Sequence, residues 1–253
     1  MSNIVFITGA TSGFGEACAW EFAKHGYDLV VNGRRTERLE QLATDLEAKY
    51  NVAVFTLAFD VRDEQAVFGS IASLPAEWKE IDVLVNNAGL ALGRDYFDEA
   101  SMDDWNTMID TNVKGFMYVA QAVSKLMAPR KKGHIINLGS VAGKQVYEKG
   151  NAYCASKFAV DALSQSMRID LLRHHIKVTA INPGAADTEF SIVRFKGDAG
   201  TAQSVYNGIQ PLTAADVAEV IYYCTTLPAH VCINDLTLSC TRQADAIYFN
   251  RQP

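Results

Sequence analysis

A chain of 253 residues, 49% hydrophobic and 21% charged, has the composition of a soluble globular protein with enough apolar material for one large core, which speaks against disorder. The net charge of −6 with a pI near 5.4 comes with no basic arm or patch, which argues against a nucleic-acid or acidic-membrane binder. No stretch approaches the ~18 apolar residues of a membrane span, and Met-Ser-Asn runs into a strand without a leader-like start, so a cytoplasmic protein is expected.

Short β-branched runs alternate with longer amphipathic segments from end to end, the pattern of βαβ units on a parallel sheet covered on both faces. Strands are expected at Ile4–Thr8, Asp28–Asn32, Val52–Ala58, Val83–Asn86, His134–Leu138, Lys177–Ile181 and Leu236–Leu238. Helices are expected at Phe14–His25, Glu37–Tyr50, Glu64–Ser73, Met102–Met127, Ala152–His174 and Ala214–Thr226. No linker or repeat divides the chain, so residues 1–253 read as one α/β domain. The irregular stretch is 185–210, with Gly197, Gly200 and Gly208; a segment that long inside a compact domain is more often a functional lid than slack.

The chemistry-bearing residues also follow chain order. Thr8-Gly9-Ala10-Thr11-Ser12-Gly13-Phe14-Gly15 closes the first strand and opens the first helix, where glycines permit a tight turn and let the backbone approach a pyrophosphate. The second strand ends in Arg34 and Arg35 where NAD-binding sheets usually carry an acid, and guanidinium groups suit a 2′-phosphate, so the cofactor expected is NADP(H). The competing account is a solvated helical face that continues through Glu37, Arg38 and Glu40. Asp60-Val61 after the third strand is placed for an adenine edge, although Asp60 would serve equally as a helix cap. Asn86-Asn87-Ala88-Gly89 and Gly139-Ser140 lie at carboxyl ends of strands, the edge where open α/β sheets bind ligands. Tyr153 and Lys157, four apart, share one helical face, and a cation near a phenol favours phenolate and makes a proton-transfer device.

The cysteines Cys18, Cys154, Cys224, Cys232 and Cys240 have neither CxxC nor Cys/His spacing and read as reduced thiols. Cys154 has no histidine nearby in sequence to activate it as a nucleophile. The histidines show no ligand spacing, so no metal site is expected.

Taken together, TGxxxGxG at Thr8–Gly15, NNAG at Asn86–Gly89, Asn112, Ser140, YxxxK at Tyr153–Lys157 and PGxxxT at Pro183–Thr188 resemble the short-chain dehydrogenase/reductase family over essentially the whole chain. The segments LPAEW (74–78), NNAGLALG (86–93), DTEFSIVRFKGD (187–198) and TLPAHV (226–231) are similar to the bacterial NADP-dependent 3-hydroxy acid dehydrogenases within it. The resemblance implies a single-domain Rossmann fold with a seven-stranded parallel sheet of order 3-2-1-4-5-6-7 and helices on both faces. It implies Tyr153 as acid/base, Lys157 as the group that depresses the tyrosine pKa and holds the nicotinamide ribose, Ser140 as holder of the substrate oxygen, and Asn112 as holder of a water linking Lys157 to solvent. NADP(H) would be held by Gly9, Thr11, Ser12, Gly13, Phe14, Gly15, Arg34, Arg35, Asp60, Val61, Asn86, Ala88, Gly89, Tyr153, Lys157, Pro183, Gly184 and Thr188. Thr188 would also serve as a cap for a helix starting at Glu189.

A small anionic substrate is implied: a 3-hydroxy acid such as serine, L-allo-threonine, 3-hydroxyisobutyrate or 3-hydroxypropionate, or the corresponding semialdehyde. Ser140, Gln145, Tyr147 and Tyr153 would line its pocket, with Arg194 in the lid favoured as its charge partner over Lys144, Lys149 and Arg94. Lys144-Gln145-Val146 replaces the Trp-Pro of several relatives, which leaves the substrate open. Sulfoacetaldehyde reductases share much of the pattern and are the alternative. A lapsed, NADP-binding sensor is the more remote one, and the complete set Asn112, Ser140, Tyr153 and Lys157 speaks against it. The family commonly forms homotetramers through its two long helices. Where the C-terminal Thr241-Arg242-Gln243 with Tyr248 and Phe249 goes, to the active site or to a neighbouring subunit, is open at this level.

Overall fold

The computed structural model describes residues 2–252. Its strands are β1 (Ile4–Ile7), β2 (Asp28–Gly33), β3 (Val54–Ala58), β4 (Ile81–Asn86), β5 (Gly133–Leu138), β6 (Ile176–Pro183) and β7 (Asp235–Leu238). All pairs are parallel and form one 7-stranded sheet of order β3-β2-β1-β4-β5-β6-β7. Alternation along each strand builds two cores. Val5 and Ile7 of β1 face one side with Leu29 and Val31, while Ile4 and Phe6 face the other with Val30 and Leu84.

The helices are α1 (Gly13–Lys24), α2 (Thr36–Tyr50), α3 (Glu64–Ala72), α4 (Met102–Ile109), α5 (Phe116–Arg130), α6 (Asn151–Asp170), α7 (Glu189–Arg194), α8 (Ala199–Ser204) and α9 (Ala214–Thr226). Buried residues of α1, α2 and α9 cover the first face, and those of α3 and α5 cover the second. The α9 start carries a full capping box, in which Thr213 Oγ1 accepts from Asp216 N and the Asp216 side chain accepts from Thr213 N.

The single helix expected over 102–127 is instead α4 and α5 joined by a π-helical segment, Asp110–Gly115. Two contacts account for its placement. The Asn112 carboxamide is drawn to the Leu90 backbone, accepting from Leu90 N and donating to Leu90 O, each at 2.8 Å. Gly115 packs so closely on the chain after β3 that a Cβ there would stand 2.8 Å from Val61 Cγ2 and 2.9 Å from its carbonyl oxygen. The expected irregular stretch 185–210 contains the short helices α7 and α8, which begin at side-chain caps: Thr188 accepts from Phe190 N, and Asp198 from Thr201 N.

The strand order reverses between β1 and β4, which opens a crevice at their carboxyl ends. Thr8 Oγ1 ties its two lips together, accepting from Asn87 N and Ala88 N at 3.0 Å each.

Candidate active site

The crevice has two parts. On the β1–β3 side a groove of ≈ 280 Å³ is lined by Gly9, Thr11, Ser12, Gly13, Phe14, Arg34, Arg35, Asp60, Val61, Ala88, Gly89 and Thr188, which brings together most of the residues expected to hold a dinucleotide. Gly9 and Gly13 have φ of 66° and 55°, and a Cβ on Gly15 would collide with the Gly9 carbonyl, so the turn depends on glycine at these positions. The Thr111 hydroxyl on the groove wall is buried without a partner. A cradle that a Cβ would fill, an orphaned hydroxyl and a bank of guanidinium groups suit a phosphorylated dinucleotide.

The arginines at the far end differ in what they do. Arg35 donates through Nε to Thr11 Oγ1 (3.2 Å), through Nη2 to Thr11 Oγ1 (2.9 Å) and Ser12 Oγ (3.0 Å), and through Nη1 to Glu189 Oε2 (3.3 Å). Arg38, which figures in the sequence only in the competing account of a solvated helical face, donates to Glu189 Oε1 at 2.9 Å. Arg34 is 62% exposed, and its carboxylate partner, Asp60, is 3.8 Å away. Asp60 is not a helix cap, since Asp63 caps α3 through Ala66 N. Burial pushes the Asp60 carboxyl up, but hydrogen bonds from Arg62 and the charge of Arg34 outweigh it and hold the group below its ordinary range.

Asn86, expected to contact the cofactor, is a correction. Its side chain turns away and donates to Phe116 O at 3.0 Å, buried against α5. Its neighbour Asn87 holds the glycine-rich turn, donating to Thr8 O at 2.8 Å and Gly9 O at 3.3 Å. A period-2 reading of β4 would have found this, because adjacent residues on a strand point to opposite faces.

The second part is a cavity of ≈ 960 Å³ lined by Ser140, Tyr147, Tyr153, Lys157, Pro183, Gly184 and Arg194 among others. Tyr153 and Lys157 are both buried on one face of α6, as their spacing requires. Ser140 begins the short turn 141–143, accepting from Ala142 N at 3.1 Å. Lys157 Nζ donates to Leu138 O at 2.8 Å, and burial lowers its pKa to about 8.

Lys157, expected to draw the Tyr153 phenol down, is not among the groups that do so here. Burial raises the phenol's pKa, with Tyr147 adding to the rise, and the groups that draw it down are the Ser140 hydroxyl and then the Arg194 guanidinium. Lys157 Nζ stands 6.0 Å from the ring centre, whereas the Arg194 guanidinium carbon lies 5.5 Å from the rings of both Tyr153 and Tyr147. Arg194 also donates to Tyr147 Oη at 2.9 Å.

Asn112 is buried, and besides bonding the Leu90 backbone it donates to Ser156 Oγ at 3.0 Å. Both carboxamide hydrogens are thus engaged by protein, so a relay water cannot be held through them. Gln145 is a further correction: it lies off the cavity wall, and its Oε1 accepts from Ala246 N at 3.2 Å. Of the other cations considered, Lys144 is paired with Asp161 and Asp235 at 2.6 Å each, while Lys149 and Arg94 line the cavity. The C-terminal residues turn to their own chain's cavity. Gln243 Oε1 accepts from Ala185 N at 2.7 Å, and Ala246, Ile247, Phe249 and Arg251 complete the wall. Burial raises the Cys154 thiol above its ordinary pKa, the opposite of an activated nucleophile. Among the described residues no helix is long and apolar enough to cross a membrane.

Comparison with known proteins agrees with this geometry. The short chain dehydrogenase family description matches residues 3–198. The chain is 47% identical over 244 residues to the NADP-dependent 3-hydroxy acid dehydrogenase YdfG of Escherichia coli strain K12, covering 96% of this chain and 97% of that one. It is also 47% identical over 245 residues to sulfoacetaldehyde reductase 2 of Chromohalobacter salexigens, covering 96% of each. Among solved structures, the closed form of serine dehydrogenase complexed with NADP+ superposes with a TM-score of 0.91 at 47% identity, over 98% of this chain and 100% of that one. The protein belongs to the short-chain dehydrogenase family.

Proposed function

We infer that the chain is an NADP(H)-dependent oxidoreductase that interconverts the 3-hydroxyl of a small 3-hydroxy acid and the corresponding carbonyl. The observation that carries the substrate class is Arg194, a lid guanidinium stacked over Tyr153 and Tyr147. A cation placed over the proton-transfer phenol selects an anionic substrate, and a guanidinium fork suits a carboxylate. The matching names of relatives, a 3-hydroxy acid dehydrogenase, a serine dehydrogenase and a sulfoacetaldehyde reductase, all fit an alcohol or aldehyde next to an anionic group.

The glycine-rich turn, Arg34, Asp60, Thr188 and Lys157 would hold NADP(H), which when bound would supply the hydride acceptor or donor. The chain's own residues do the rest. Ser140 Oγ hydrogen-bonds the substrate oxygen, and Tyr153 takes the hydroxyl proton or returns it to the carbonyl oxygen. Burial disfavours the phenolate of Tyr153, and the Ser140 hydroxyl and the Arg194 guanidinium act against that bias. Lys157, at about 8, exchanges its proton near neutral pH and can restore the phenol's. Asn112 and Ser156 fix the backbone at Leu90 and the α6 helix on which Tyr153 and Lys157 stand.

Assembly into a homo-oligomer fits the surface. Phe97, Val146 and Phe158 are exposed and line one apolar groove of ≈ 530 Å³ on the outer side of α6. The functional reading is tested by following NADPH and NADH oxidation with malonic semialdehyde, sulfoacetaldehyde and propanal. Preference for NADPH and for malonic semialdehyde is expected; a preference for sulfoacetaldehyde moves the assignment to the sulfonate, and equal rates with propanal remove the anionic substrate.

A further inference from the structure

The lid helix α7 is short, six residues from Glu189 to Arg194. Its first residue touches the nucleotide end of the crevice and its last the catalytic end. At the start, the Glu189 carboxylate receives Arg38 at 2.9 Å and Arg35 at 3.3 Å. At the end, Arg194 lies over Tyr147 and Tyr153, with its main chain fastened by Gly93 N donating to Arg194 O at 2.9 Å. Arg35 in turn grips Thr11 and Ser12 of the glycine-rich turn. A continuous chain of contacts therefore runs from the phosphate turn through Arg35 and Glu189 to the guanidinium over the catalytic phenol.

Charge decides whether this contact competes with a 2′-phosphate or coexists with it. Asp60 is engaged by Arg62 at 2.6 Å, so the exposed cluster is the three guanidinium groups of Arg34, Arg35 and Arg38 against the one Glu189 carboxylate. Two positive charges are left over, which matches the roughly −1.5 to −2 of a phosphate monoester. Arg34, at 62% exposure with its acid 3.8 Å away, is the arginine most available to it. The arginines can hold the lid and read the phosphate together.

We propose that Glu189 is a positioning residue, which through its ion pairs with Arg35 and Arg38 sets α7 so that Arg194 stands over Tyr153 to receive the substrate anion. It thereby joins the arginines placed for the cofactor's 2′-phosphate to the substrate anchor. This rests on the reading of Arg194 as the substrate anchor. The pairs are about half exposed, so the coupling is modest: removing them is expected to move a KM about threefold to tenfold, the scale of one or two exposed charge contacts.

The test compares wild type, Glu189→Gln, Glu189→Asp and Arg194→Ala. Oxidation of 3-hydroxypropionate and of uncharged 1,3-propanediol is followed with saturating NADP+. Binding of adenosine 2′,5′-bisphosphate is measured by calorimetry, and amide hydrogen exchange is followed over residues 189–197. Glu189→Gln is expected to raise KM for 3-hydroxypropionate with little change in kcat, to leave KM for the diol in place and to speed lid exchange. Bisphosphate affinity should not fall, and Glu189→Asp should recover part of the KM. An equal KM change for both alcohols, no change for either, or a tenfold loss of bisphosphate binding overturns the proposal. If Arg194→Ala also fails to distinguish acid from diol, the substrate reading falls with it. If Arg194→Ala distinguishes them and Glu189→Gln does not, the positioning role alone is lost.

Discussion

The two ends of the crevice use charge in opposite ways. At the nucleotide end, Arg34, Arg35 and Arg38 are exposed and each faces a carboxylate, so charge is cheap to keep and serves recognition. At the catalytic end, Tyr153 and Lys157 are buried, with no carboxylate among the groups that shift them, and burial displaces both: the phenol upward, the ammonium down to about 8. On the proposed reading, the same sheet edge would recognise a ligand with hydrated charges that keep a positive excess and move protons with desolvated ones that face no carboxylate. Recognition at the first end should tolerate loss of a contact, whereas the second should not.

The largest effect is therefore expected at Tyr153. Tyr153→Phe removes the proton donor while keeping the ring against Phe190, and kcat should fall by about 10²- to 10⁴-fold. NADPH affinity, measured by fluorescence titration, should change little. A comparable loss of NADPH binding would mean that the two ends are not separable. The second test uses pH. The folded-state pKa of Lys157, about 8, lies below the 10.5 of a free lysine side chain, so below about pH 8 the folded protein bears the penalty of a buried ammonium in full. Between about 8 and 10.5 the unfolded chain binds the extra proton and stability rises with pH. Relative to Lys157→Met, which lacks this group, wild type should gain melting temperature on the order of 5 °C across that window. A constant difference between the two proteins would show that the ammonium is not desolvated.

How legible each end was in the sequence follows from the range of the interactions involved. Strand succession, the glycine-rich turn and the pairing of Tyr153 with Lys157 depend on neighbours within a few residues, and the sheet has the expected order. The Thr188 cap before Glu189 was equally local. The π-helical break at Asp110–Gly115 was not legible, because it is imposed by Leu90 and Val61, which lie elsewhere in the chain. The Glu189 pairing joins residues more than 150 apart, and no periodicity in either segment announces it. Asn86 and Gln145 were misplaced because a motif supplies residue types but not directions. Asn86 points into the helix layer, and Gln145 is taken up by the C-terminal tail. Likewise the phenol's pKa was read from one nearby cation, whereas burial, a property of the whole fold, dominates it.

At the nucleotide end, Arg34→Ala removes the least encumbered guanidinium. A lost charge-assisted hydrogen bond corresponds to about tenfold to a hundredfold in kcat/KM for NADPH, with NADH unaffected and kcat near wild type. A matching fall with NADH would place Arg34 in the fold rather than in the 2′-phosphate site.

The smallest effect discriminates most directly between exposed and buried charge. Raising ionic strength from about 0.1 M to 1 M shortens the screening length from about 10 Å to about 3 Å. Exposed guanidinium–phosphate contacts lie within reach of that screening, and the buried Tyr153 and Lys157 pair does not. KM for NADPH should rise several-fold while KM for NADH and kcat at saturating cofactor stay nearly level, measured with a neutral aldehyde so that Arg194 does not contribute. In Arg34→Ala the salt dependence of the NADPH KM should be shallower, because one of the screened charges has gone. A kcat that falls in step with the NADPH KM would mean that the catalytic end is as open to ions as the nucleotide end, and the contrast between them would then have to rest on hydrogen bonding rather than on burial.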